Sequence, residues 1–242
     1  STFVAGFEEF LRKRGLCRNS TSFYMRNLRS IVNRASENGF EVSGNPFKYV
    51  YTGVDKTIKR AVTLKTVCRI RDVDLTGYPH LDFARNVFMF AFYTRGMSFV
   101  DMIYLRKSDV RDGVLTYRRK KTGQTLSLRV EAPLQKIIDR YDSDSPYVLP
   151  VLTADDSYRA YRQQQRELNK FIRKIGELLG ISEPLTFYVA RHSWATLARD
   201  CGTPLTVISA GMGHTSERTT RVYLAQLDRS VIDKANRKII NL

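Results

Sequence analysis

The sequence predicts a mainly α protein in two parts: a small helical domain over residues 1–63 and a larger α+β domain over residues 64–242 with a small antiparallel sheet. Three observations carry this expectation. Apolar residues recur at helical spacing through most of the chain. A cluster of turn residues followed by a basic stretch interrupts that periodicity near residues 54–64, where a linker is expected. One alternating segment on either side of a glycine turn reads as a β-hairpin.

In chain order, Phe3, Phe7, Phe10 and Leu11 form the stripe of an amphipathic helix that ends near Gly15. Ser20 can cap a second helix with the apolar face Tyr24, Leu28, Ile31, Val32 and Ala35, stopped by Asn38-Gly39. Arg26, Arg29 and Arg34 fall on its opposite face. Gly44, Asn45, Pro46 and Gly53 mark turns, and Lys56, Lys59 and Arg60 the linker. Asp82 to Tyr93 reads as a buried aromatic-rich helix, and Phe99 to Leu105 continues helically to Lys107-Ser108-Asp109. Val114 to Tyr117 and Leu126 to Leu128 are the hairpin strands, with Arg118, Arg119, Lys120 and Lys121 at a basic tip before Thr122-Gly123-Gln124. From Tyr158 onward the pattern is helical.

Composition narrows the function. The chain has 43% hydrophobic residues and lacks the roughly 18 consecutive apolar residues of a membrane span, so no membrane role is expected. The first 16 residues carry Glu8, Glu9, Arg12, Lys13 and Arg14 where a secretory signal has its apolar core, which points to a cytoplasmic protein. Cys17, Cys68 and Cys201 are scattered and the histidines are His80, His192 and His214, a set suited neither to a disulfide framework nor to a metal site. Neither metal nor small-molecule cofactor is expected. Forty Lys and Arg against 24 Asp and Glu give +16, a field that attracts polyanions, nucleic acid first among them. Residues 1–63 hold 11 basic against 5 acidic side chains, a net +6 that leaves +10 for the rest, as two lobes gripping one polyanion would require.

Three stretches carry chemistry. Arg191 interrupts the otherwise apolar helix Leu185 to Thr196, a placement that is costly unless the guanidinium is paired or meets an anion. Met212-Gly213-His214 follows, and Thr219-Thr220-Arg221-Val222-Tyr223 ends nine residues beyond His214.

This order resembles the tyrosine recombinases, the phage integrase family. Their signature is an R-H-x-x-A-T helix, a G-H pair, and a tyrosine about nine residues on, preceded by two threonines. Arg191-His192-Ser193-Trp194-Ala195-Thr196, Gly213-His214 and Thr219-Thr220 with Tyr223 match it. The resemblance covers residues 64–235, and the first 60 residues are similar to the family's helical core-binding domain. It implies a site-specific recombinase that breaks and rejoins double-stranded DNA on a synaptic tetramer. Tyr223 is then the nucleophile, Arg191 a phosphate ligand, His214 a hydrogen-bond partner of the phosphate or of Tyr223, and Lys121 on the hairpin, with Lys120 second, the proton donor to the departing 5′ oxygen. The hairpin residues Arg118, Arg119 and Lys120, with Arg26 and Arg29 of the small domain, are expected to contact DNA. The apolar positions Val231, Ile232, Ile239 and Ile240 of the tail are expected to dock on a neighbouring protomer or on their own domain.

Two family positions differ. Tyr188 stands where a histidine usually precedes the second arginine by three residues; a phenol can donate a hydrogen bond to phosphate or pack in the core beside Phe187. Ser98 stands where the first arginine belongs. Arg95, one helical turn earlier, is the preferred substitute, Arg119 is its competitor, and loss of the arginine is the third possibility. Two other readings stand beside this one: relaxation of DNA in the manner of a type IB topoisomerase, which uses the same chemistry on one strand, and a non-catalytic DNA-binding module with a decayed site, which these two gaps suggest.

Overall fold

The computed structural model describes residues 2–55, 61–152 and 156–223, and divides into two compact units, Ser1–Ile58 and Lys59–Leu242. The first contains helices α1 (Thr2–Lys13) and α2 (Arg18–Glu37). Its core is small: Val4, Leu11, Met25 and Phe47 are buried, with Phe7, Leu16, Leu28, Val32 and Val50 packed around them.

Both helices keep part of the expected stripe on the core, Phe7 and Leu11 on α1 and Leu28 and Val32 on α2, but are rotated about it. On α1 the buried line is Val4, Glu8 and Leu11, while Phe3 and Phe10 are exposed and flank Phe7 in a ladder of stacked rings at 6.2 and 6.4 Å. On α2 the core side is Thr21, Ser22 and Met25, and Tyr24 and Ile31 face outward. The loop after α2 sets this rotation. Ser22 donates to the Gly53 carbonyl, and Asn19 exchanges hydrogen bonds with Asp55 at 3.0 and 2.7 Å, so residues 47–55 lie over the Met25 side. Arg26 is consequently half-buried, not on the solvated face, whereas Arg29 is exposed and donates to Thr52 at 2.9 Å. The second helix starts at Arg18 with Cys17 at its N-cap, leaving Ser20 inside the first turn.

The second unit is built on α4 (Pro79–Tyr93), with Phe88 and Phe90 fully buried. Proline at its first position needs no amide partner and starts it cleanly. Around α4 pack α3 (Leu64–Asp72), α6 (Ala132–Arg140), α7 (Tyr158–Leu178) and α8 (Phe187–Asp200). α3 and α6 have no counterpart in the sequence reading. The expected helix after Phe99 stops early: α5 covers Phe99–Ile103, and Lys107–Asp109 form a separate 3₁₀ turn. An antiparallel sheet follows in the order β1 (Val110–Arg111), β2 (Val114–Arg118), β3 (Thr125–Arg129), with Leu115 opposite Leu128. Leu115, Tyr117 and Leu128 point into the core while their neighbours stay outside, the alternation of a half-buried sheet. Helices α9 (Leu205–Gly211) and α10 (Glu217–Tyr223) complete the unit, α10 packing on α9. Among the described residues no helix is long and apolar enough to cross a membrane.

Candidate active site

Arg191 projects from the middle of α8 and is only 5% exposed. Its Nη1 donates to the Gly96 carbonyl at 2.6 Å and its Nη2 to the Met212 carbonyl at 2.8 Å. Gly96 has φ +73°, and a Cβ there would stand 2.6 Å from the Arg191 Cα, so only glycine permits this approach. Asn169 of α7 accepts the Phe187 amide at 3.1 Å, capping the start of α8 and fixing the helix that presents the arginine.

A second guanidinium comes from the hairpin. Arg119 closes the turn by pairing with Gln124, its amide donating to that carbonyl at 2.8 Å, and its side chain turns inward to 6% exposure. It donates to the Gly213 carbonyl and lies 3.9 Å from the carboxylate of Asp101 on α5. Asp101 has no exposed side-chain surface. It accepts the Ser98 hydroxyl at 2.6 Å and the Lys120 amide at 2.8 Å, fastening the hairpin to the start of α5. Gly213, with φ +63°, brings its carbonyl to Arg119 where a Cβ would meet Leu126 at 2.7 Å.

His214 sits between the two arginines and α10. Its Nε2 is 2.9 Å from Arg191 Nη2 and its Nδ1 is 2.7 Å from the hydroxyl of Thr220. Burial first, then the charges of Arg191, Arg119 and Lys121, lower its pKa to about 4, so it is neutral at pH 7. Tyr117 beneath the site is pushed up to about 12, chiefly by burial, and stays a phenol.

One cavity of about 500 Å³ is lined by Arg191, Arg119, His214, Lys121, Tyr188, Ser98 and Thr219. Tyr161, Gln165 and Asn169 of α7 also line it. Tyr188 is 58% exposed, edge-on to His192 at 4.4 Å, and faces the cavity instead of packing in the core. Lys121 is exposed at the cavity wall, whereas the Lys120 ammonium stacks over Tyr104 at 3.3 Å. Arg118 folds back on the turn, Nε to the Gly123 carbonyl at 3.1 Å.

Arg95 is not a lining residue. α4 ends before it, and Arg95 (φ +60°) and Gly96 (φ +73°) are both left-handed, so no helical face links position 95 to position 98. Its guanidinium instead reaches the Ser127 carbonyl on β3 at 3.4 Å. Tyr223 is the last residue of α10; its side chain, like the tail with Val231, Ile232, Ile239 and Ile240 and the linker residues Lys56, Lys59 and Arg60, lies outside the described residues. Asp101, Asn169 and Gln165 were not legible as site residues, and Thr220 stood in the signature before Tyr223 without a role of its own. Only the three-residue spacing of Ser98 and Asp101, which places them on one helical turn, hinted at the first. Among the described residues no three His, Cys, Asp or Glu side chains converge as a metal requires.

A family model described as the phage integrase family matches residues 76–229, and one described as a phage integrase SAM-like domain matches residues 1–52. The tyrosine recombinase XerA of Pyrococcus furiosus is 24% identical over 194 residues, covering 76% of this chain and 64% of that protein. The tyrosine recombinase XerC of Rhizobium meliloti is 23% identical over 224 residues, covering 91% and 70%. The chain thus spans about two thirds of the length of these relatives. The fold is also that of the XerH site-specific recombinase bound to a palindromic difH substrate (TM-score 0.73, 16% identity, 96% of this chain and 71% of that one). A lambda integrase dimer bound to a COC′ core site aligns with TM-score 0.68 at 16% identity, over 93% of this chain and 65% of the other.

Proposed function

The chain belongs to the phage integrase family, and from that premise we propose that it is a site-specific DNA recombinase that cleaves and rejoins strands through a 3′-phosphotyrosyl link at Tyr223. The observation that carries this reading is the convergence of Arg191, Arg119, His214 and Lys121 on one cavity, one helix before Tyr223.

A phosphodiester repels nucleophiles until its non-bridging oxygens are neutralised. Two guanidiniums held by backbone carbonyls and a buried carboxylate supply that charge without reorganising during reaction. Arg119 takes the part of the arginine replaced by Ser98. The Tyr223 hydroxyl gives its proton to water as its oxygen bonds to phosphorus and the bond to the 5′ oxygen breaks. Lys121 delivers a proton to that oxygen, leaving a 5′ hydroxyl and a phosphotyrosyl ester. The ester conserves the bond energy, so a second 5′ hydroxyl can reverse the step without ATP. His214 and Tyr188 bind phosphate oxygens. In this reading residues 1–63 act as a core-binding domain, duplex DNA is the partner, and a tetramer forms on it.

Tyr223→Phe tests the assignment. It should abolish the SDS-resistant protein–DNA adduct while leaving DNA affinity within about twofold, because one hydroxyl contributes little binding surface. An adduct that persists, or moves to another tyrosine, overturns the reading.

A further inference from the structure

Thr220 contributes an unusual contact for a residue on so short a helix. α10 has seven residues, too few to be stable alone, so its placement depends on what it touches. Among its described side chains Thr220 is the buried one, with no exposed surface, while Thr219 and Arg221 face outward. Its hydroxyl meets His214 Nδ1 at 2.7 Å, one helical turn before Tyr223.

The direction of that hydrogen bond follows from the other side of the ring. An arginine only donates, so the 2.9 Å contact from Arg191 Nη2 makes His214 Nε2 an acceptor without a proton. A neutral imidazole must then carry its proton on Nδ1, which donates to Thr220. To donate from Nε2 to a phosphate oxygen, His214 must gain a second proton or shift the one it has. In the second case Nδ1 becomes an acceptor and the Thr220 hydroxyl rotates to donate.

We propose that Thr220 is a positioning residue, a hydroxyl latch that ties α10 to His214 and serves both imidazole tautomers as phosphate enters the site. It rests on the recombinase reading for its role in cleavage, but the latch itself is a property of the free protein. A hydroxyl can accept from one tautomer and donate to the other, whereas a methyl group of the same size can do neither. The latch therefore links the phosphate ligands, through one side chain, to the helix whose last residue is Tyr223. The charged groups facing the imidazole, Arg191 from α8 and Arg119 and Lys121 from the hairpin, oppose its protonation and keep the neutral forms in play.

Two measurements on the whole chain test this. In the free protein labelled with ¹⁵N-histidine, the His214 signals, identified by their loss in His214→Gln, should show the Nδ1–H tautomer. Thr220→Val should leave that tautomer, which Arg191 fixes, but expose the Nδ1 proton to exchange with water about tenfold faster, and Thr220→Ser should restore its protection. In single-turnover trapping of the covalent adduct, Thr220→Val should be slower by about tenfold, the effect of one lost hydrogen bond in a preorganised site, with DNA affinity within twofold. Thr220→Ser should recover most of the rate. An Nδ1 proton equally protected in Thr220→Val, or a Ser variant as slow as Val, overturns the latch. Failure of the wild-type chain to form any adduct would overturn the recombinase reading instead and leave the tautomer measurement standing.

Discussion

Two guanidiniums and one lysine divide the work in the proposed site, and their chemistry is separable residue by residue. Removing a preorganised donor of transition-state charge costs on the order of 3–4 kcal/mol, about 100- to 1,000-fold in rate. Arg119→Ala should show that loss in single-turnover cleavage, and Arg95→Ala, whose side chain runs to β3, should change the rate less than about fivefold. Equal losses would mean that Arg95 swings into the cavity when DNA binds. Ser98→Arg alone would crowd a second guanidinium against the buried carboxylate of Asp101 and slow the enzyme. Combined with Arg119→Ala, it should recover part of the rate, because the vacated Asp101 can hold the new arginine. Lys121 has a different signature. A substrate with sulfur in place of the 5′ bridging oxygen leaves as a thiolate and needs no proton, so it should rescue Lys121→Ala but not Arg119→Ala. Rescue of both variants, or of neither, would remove the general-acid role from Lys121.

At the scale of elements, the hairpin and the Arg191 helix could be read directly, because each has a strong local period and a charged residue placed against it. The faces of α1 and α2 could be read only in part, since Leu11 and Leu28 pack inward while Phe3, Phe10, Tyr24 and Ile31 are exposed. In so small a core, the loop carrying Phe47 and Gly53 decides which stripe is buried, and that is a long-range contact. The route of Arg95 is hidden for a similar reason: two consecutive left-handed residues reverse the chain where the spacing predicts a helical face. The turn between α9 and α10 carries a pH signature of its own. His214 has its folded pKa lowered to about 4, against an ordinary value near 6.5. Between these values the unfolded chain binds more protons than the folded one, so this contribution is full above about pH 6.5 and is lost as pH falls toward 4. The lowered carboxylates Glu9, Asp72, Asp74 and Asp142 act below that window. Tm should therefore fall between pH 6.5 and 4, and His214→Gln should flatten part of that slope. An equal fall in the variant would trace the acid sensitivity to other groups.

For the molecule as a whole, +16 is a cost unless a polyanion meets it. α7 states the problem most plainly: Arg159, Arg162, Arg166, Lys170 and Arg173 are exposed at spacings of three and four, one cationic line on the helix whose inner side, with Tyr161 and Gln165, walls the cavity. Like charges at that spacing destabilise a helix by a few tenths of a kcal/mol per pair. DNA phosphates would turn the penalty into binding, and the counterions released would appear in the salt dependence. Each phosphate neutralised contributes about −0.9 to the slope of log affinity against log salt, so six or more contacts predict a slope steeper than about −5. Alanine at Arg162 and Arg166 should each make the slope shallower by about one unit and weaken binding on any sequence alike. Cleavage of bound DNA at saturating protein should keep its rate, because neither residue lines the cavity. A slope unchanged by both substitutions would place the α7 line away from DNA. A slowed cleavage rate at saturation would instead make it part of the reacting geometry.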